Sequence, residues 1–132
     1  MFDVAAMDPK ALANAGVEME LVDTRTGNKT GVFITVLGVD SDVAQDYFAE
    51  RVMRAQRQMR KTGQQAVESV ADMKARRIEL AVACTVGWRN MTYQGKDLPF
   101  TAANATMLYG QVRPILDQVD AWIAETANFL PS

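Results

Sequence analysis

Between Val17 and Leu37 the chain adopts a hydrophobic period that differs from the one on either side of it. Val17, Met19 and Leu21 alternate with Glu18, Glu20 and Val22, the two-residue period of a strand with one charged face. Thr24-Arg25-Thr26-Gly27-Asn28 supplies turn residues, and Val32-Phe33-Ile34-Thr35-Val36-Leu37 follows as a second strand, apolar on both faces. Residues 17–38 therefore read as an antiparallel β-hairpin. Two strands alone hide too little surface to be stable, so something beyond the hairpin must cover the second strand.

The rest of the chain has the helical period that could supply this cover. Asp8-Pro9 reads as an N-cap and first helical position, and Gly16 as a stop, which marks a short helix over 8–15. Past Gly38, Ser41-Asp42 opens a segment with Ala44, Tyr47, Phe48, Val52, Ala55 and Met59 at three- and four-residue steps, running to Lys61-Thr62. Gly63 interrupts it. A second segment from Gln64 to about Thr85 carries Val67, Val70, Ala71, Ile78, Ala81 and Val82 on one side. Thr101 caps a helix through Tyr109 that Gly110 ends, and Val112, Ile115, Leu116, Val119, Trp122 and Ile123 form the stripe of a last helix with Pro114 in its first turn. A length of 132 residues fits one core. The expectation is a single domain over 1–132 of class α+β: an N-terminal antiparallel β-hairpin packed on a mostly α-helical body over 41–127, with an aromatic loop at 86–100.

Side-chain chemistry narrows the function. The chain contains no histidine, which removes the commonest general base and the commonest metal ligand together. The glycines form no phosphate-cradling pattern. No catalytic group, cofactor or metal is expected, and an enzyme is disfavoured. Cys84 is the single cysteine and sits in the apolar run 80–84, where a small thiol packs as inert core. Eight methionines suit core filling, Met73 among them, or a surface that adapts to partners. No stretch approaches the length of a bilayer span.

Charge is unevenly spread: residues 1–50 hold nine acids and three bases, residues 51–77 two acids and eight bases. The basic block could attract nucleic acid. The blander reading pairs its arginines with the acidic hairpin of the same chain or of a neighbouring copy, and the net charge of −2 favours that reading, since nucleic-acid domains are usually net basic.

The stretch GWRNMTYQGKDLPFT concentrates Trp88, Tyr93 and Phe100 among turn residues. Exposed aromatics there would serve as interface anchors; alternatively Trp88 and Phe100 pin the loop to the chain's own core. Phe129 and Leu130 pose the same choice between a hydrophobic cap and a terminal hook. The order of parts, VEMELVDTRTGNKTGVFITVLGVDS, a basic helical middle, ACTVGWRNMTYQGKDLPFTAANATMLY and a closing ANFLPS, resembles the tail assembly chaperones of long-tailed phages and their prophages over nearly the whole chain. The most specific portion is Trp88, Gly95, Pro99, Phe100, Asn104, Leu108 and Tyr109 with Asn128-Phe129-Leu130.

What the resemblance implies is an assembly factor of the host bacterial cytoplasm, absent from the mature virion, that keeps the tape measure protein soluble and helps recruit tail tube subunits. Its expected partners are the tape measure protein, the tail tube protein and further copies of itself; no membrane is expected, and nucleic acid is disfavoured. The partner-binding candidates are Trp88, Tyr93, Phe100, Phe129 and Leu130, with the expectation that Trp88→Ala or Phe100→Ala harms binding more than folding. The alternative readings are a structural or tail-completion subunit and a nucleic-acid-binding protein using 51–77.

Overall fold

Gly16 ends the first helix, α1 (Lys10–Ala15), at a φ of +92° and turns the chain straight into β1 (Val17–Val22), a conformation glycine reaches without a Cβ penalty. The structure is a computed structural model and describes residues 1–65 and 67–131. β1 pairs antiparallel with β2 (Lys29–Val36), with Val17 opposite Val36 and Glu20 opposite Phe33. Met19, Leu21, Ile34 and Val36 are buried on one face of this hairpin, as the two-residue period requires. The fold is α+β, with the hairpin near the N-terminus.

The helical segments largely follow their caps. α2 (Asp42–Thr62) begins at Ser41, whose Oγ accepts from the Ala44 N–H at 3.1 Å, and ends at Gly63 with φ +70°. α3 (Val70–Cys84) starts six residues later than the expected Gln64, because Ser69 and Asp72 form a reciprocal capping box. The signal Ser69-x-x-Asp72 was present in the sequence. α4 (Ala102–Gln111) is capped by Thr101 as expected but runs past Gly110, and α5 (Arg113–Ala124) takes Pro114 in its first turn.

The expected aromatic loop at 86–100 is mostly sheet. β3 (Thr85–Arg89) leaves α3 with no intervening turn and adds to β2, placing Trp88 opposite Ile34 and Arg89 opposite Phe33. β3 thus closes the second edge of β2, while the face carrying Phe33 and Thr35 is only half-buried. The Arg89 guanidinium lies 4.0 Å from the centre of the Phe33 ring and forms a two-bonded pair with Glu18 at 2.8 and 3.0 Å. β4 (Thr92–Tyr93) and β5 (Lys96–Asp97) make a small hairpin. Its two-residue turn, Gln94-Gly95, has both φ angles positive, the requirement of the tightest hairpin turns. Gln94 was an unlikely-looking residue for that role, which hid the hairpin.

The core lies where α3, α4, α5 and the sheet meet, around Ile34, Val36, Leu108, Tyr109, Leu116, Val119 and Ile123. Tyr109 is fully buried, and its hydroxyl pairs with the Thr85 hydroxyl at 2.7 Å; the phenol is pushed up to about 12 by burial. Gly38 seals the far side. A Cβ there would stand 2.9 Å from the Ala13 Cβ and 3.0 Å from the Phe129 ring, so only glycine lets α1 and the C-terminal turn close on the sheet.

Candidate interaction surface

Five residues stood out in the sequence as partner anchors, and all five are at least partly folded inward. The Trp88 indole donates to the Leu98 carbonyl at 2.8 Å and meets the Phe100 ring edge-on, with centres 5.0 Å apart. Trp88, Tyr93 and Phe100 are half-buried, and each packs on the core. Phe129 is 1% exposed and lies against Gly38, and Leu130 is half-buried beside it in sequence. The structure therefore brings Trp88 and Phe100 together as a clasp on the β4–β5 hairpin, while Phe129 caps the core at Gly38.

The exposed apolar surface is elsewhere. α2 has 21 residues and so measures about 30 Å, yet Ala44 is its one buried residue. Tyr47 ties the helix to α3 by donating toward the Arg76 carbonyl at 3.2 Å and the Glu79 carboxylate at 3.1 Å. Past Arg51 the helix projects as an arm. Val52 is 57% exposed and Met59 50%; with Phe48 and Ala55 they form a stripe at i, i+4, i+7 and i+11 that no body element covers. Val67, Val70 and Met73 are exposed on the return segment and on the first turn of α3. Met73 was expected in the core; it lies ahead of the turns of α3 that pack on α4 and α5.

Ion pairs fix the arm's root. Glu68 is held between Arg51, at 2.8 Å, and Arg76. Two guanidiniums share one carboxylate, and Arg51 Nε and Arg76 Nε are buried without hydrogen-bond partners. Glu50 pairs with Arg54 and Arg57 at 3.4 and 3.3 Å. Arg51, Arg54, Arg57 and Arg76 of the basic block thus pair with Glu50 and Glu68 at the arm and its root, and Arg77 pairs with α5, rather than with the acidic hairpin. Arg89 pairs with the hairpin instead, and its hydrogen bond holds the Glu18 carboxyl below its usual range. Among the described residues Arg60 and Lys61, at the end of α2, have no ion-pair partner.

Other charged groups tie the body together. Arg77 bridges Asp117 and Asp120 at 2.8 Å each, joining α3 to α5. Burial raises the Asp120 carboxyl despite that pairing, whereas Arg77 lowers the more exposed Asp117. The Cys84 thiol is fully buried and pushed up to about 11 by desolvation, which keeps it protonated and inert near neutral pH. Sequence reasoning identified the apolar positions of α2 but assigned them to the core; the disproportion between a 21-residue helix and a small body was the signal that could have located the arm.

Compared with known proteins, the chain matches no family model, no curated protein and no solved structure. Among the described residues no helix is long and apolar enough to cross a membrane.

Proposed function

We propose that the chain is a tail assembly chaperone of the long-tailed phage type, working in the host cytoplasm by covering apolar stretches of the tape measure protein and helping to recruit tail tube subunits. The observation that carries the reading is the arm. Val52 and Met59 stand exposed on the outer half of α2, and Val67 and Val70 on the return to α3, where a partner can hide them. Methionine supplies an adaptable contact suited to a long client of varied sequence. The order of motifs from the hairpin to Asn128-Phe129-Leu130 supports the same assignment. Chemistry is not required: the activity is reversible burial, and many copies along one client would gain affinity by multiplicity.

The clasp residues Trp88 and Phe100 take a supporting role in this reading, because they hold the β4–β5 hairpin on the body, and the client-binding role passes to the arm. The nucleic-acid alternative loses ground to the ion pairs, since Arg51, Arg54 and Arg57 are engaged by Glu50 and Glu68.

Co-expression with the tape measure protein tests the proposal. With the chain present, the client should shift into the soluble fraction and co-purify with it; Val52→Asp with Met59→Asp should abolish both while the variant itself stays folded. A client equally soluble without the chain would refute the reading, as would salt-sensitive DNA binding with no client capture.

A further inference from the structure

All but two of the large apolar side chains exposed on the described surface fall into two stretches. One is the arm and its root, from Val43 to Met73. The other is the N-terminal segment, where Met1, Phe2, Val4 and Met7 are all more than 60% exposed and a short 3-10 turn over Val4–Met7 buries nothing. The two differ in sign. The N-terminal segment carries Asp3 and Asp8 and no basic side chain, whereas α2 from Arg51 onward carries Arg51, Arg54, Arg57, Arg60 and Lys61 and no acid.

We infer that the N-terminal segment of one copy docks on the arm of another, so that copies join head to tail. Phe2, Val4 and Met7 would lie along Val52 and Met59, with Asp3 and Asp8 toward Arg60 and Lys61. The charges on both sides are available. Asp3 and Asp8 form no ion pair among the described residues, serving only as acceptors for the Ala5 and Lys10 N–H groups at 3.0 Å, and Arg60 and Lys61 are equally free. Opposite charges flanking an apolar contact favour the pairing and set its orientation.

The contact is between copies because of where the two surfaces sit. Lys10 pairs with Asp42 at 3.5 Å, which anchors the head at the base of α2, while the free cations lie at its other end, about 30 Å away. Only Val4–Met7 of this segment are wound as a 3-10 turn, but even fully extended the chain from Asp3 to the anchored Lys10 reaches at most about 25 Å, and Asp8 is two residues from that anchor. The segment cannot lay Asp3 and Asp8 against the Arg60 and Lys61 of its own chain. A contact between unlike surfaces leaves each complex with one free head and one free arm, so it propagates into a ring or a filament. The pairing needs no client and stands apart from the chaperone reading, although a client on the arm would compete with it.

The test uses purified full-length chain without client, followed by gel filtration with light scattering. The wild type should show a mass above the 14.5 kDa monomer that rises with protein concentration and falls several-fold in 0.5 M salt. A head variant, Phe2→Asp with Val4→Asp and Met7→Asp, and an arm variant, Val52→Asp with Met59→Asp, should each be monomeric alone. Mixed, they should form a 1:1 complex of twice the 14.5 kDa monomer mass and nothing larger, because the first keeps an intact arm and the second an intact head. Circular dichroism checks that the arm variant is folded, and Arg60→Glu with Lys61→Glu is a second arm variant that leaves every apolar contact in place and should still weaken assembly several-fold. A wild type that stays monomeric at high concentration, a head variant that still self-associates through paired arms, or a mixture that stays monomeric would each overturn the inference. The head variant should still solubilise the tape measure protein, so loss of assembly and loss of client binding are read separately.

Discussion

Leu116, Val119 and Ile123 sit at three- and four-residue spacings on α5 and are buried, whereas Phe48, Val52 and Met59 sit at comparable spacings on α2 and face solvent. The residue types and the helical period do not separate them. What separates them is the opposing surface: α5 has α3, α4 and β1 against it, while the outer half of α2 has only the short return segment beyond Gly63. An apolar stripe therefore says that a helix has something to hide, and the rest of the fold decides whether the cover lies within the chain. In the body the cover is internal and supplies stability; on the arm it is missing, which leaves that surface free for a partner.

The sharpest way to break this contrast is to truncate both stripes and compare. Leu116→Ala removes a side chain with no exposed surface and should cost about 3 kcal/mol in urea denaturation, the usual range for a core leucine. A loss below about 1 kcal/mol would mean that the body packs as loosely as the arm. Trp88→Ala comes next. The indole is only partly buried, but the change also removes the edge-on contact with Phe100 and the bond to the Leu98 carbonyl, so a loss of about 2 kcal/mol is expected. Its main effect should be on folding, the reverse of what its place among turn residues suggested; client capture lost at unchanged stability would restore the original expectation. Ser69→Ala, at the junction of arm and body, deletes the capping box of α3 and should cost about 1 kcal/mol.

Elements whose signals are local could be read from the chain. Ser41 and Gly63 bracket α2 as expected, Thr101 caps α4, and the alternation of Met19 and Leu21 places the hairpin's buried face correctly. Elements that depend on tertiary partners could not. β3 follows α3 without a breaker, and Val86, displaced where the β2–β3 register shifts, is 53% exposed, so Thr85 to Arg89 never shows the alternation of a paired strand. Gly38 gave no hint that Ala13 and Phe129 close on it from two distant segments. The candidate surface was misplaced for the same reason. Aromatic residues drew attention to Trp88 and Phe100, but exposure is a property of the assembled body, and it put the available apolar area on Val52, Met59 and Val67 instead.

The smallest expected effect on stability is on the arm, and it is the most discriminating. Met59→Ser exchanges a half-exposed side chain outside the core, so unfolding should change by no more than about 0.5 kcal/mol, while client capture and head-to-tail assembly should both fall. Dilute peroxide offers the same comparison without mutation. Met53, Met59 and Met73 are 50%, 50% and 44% exposed, whereas Met19 and Met91 are 2% and 7%. Sulfoxide should therefore appear on the arm, and on the still more exposed Met1 and Met7, before it reaches the body, turning those apolar contacts polar, and mass spectrometry can follow each site while thermal melting follows the body. At the point where the three arm methionines are oxidised and the two core ones are not, the melting temperature should be unchanged and binding should be reduced. Oxidation that reaches Met19 and Met59 at the same rate would show that the body opens as readily as the arm, and the distinction between a packed region and an offered one would disappear.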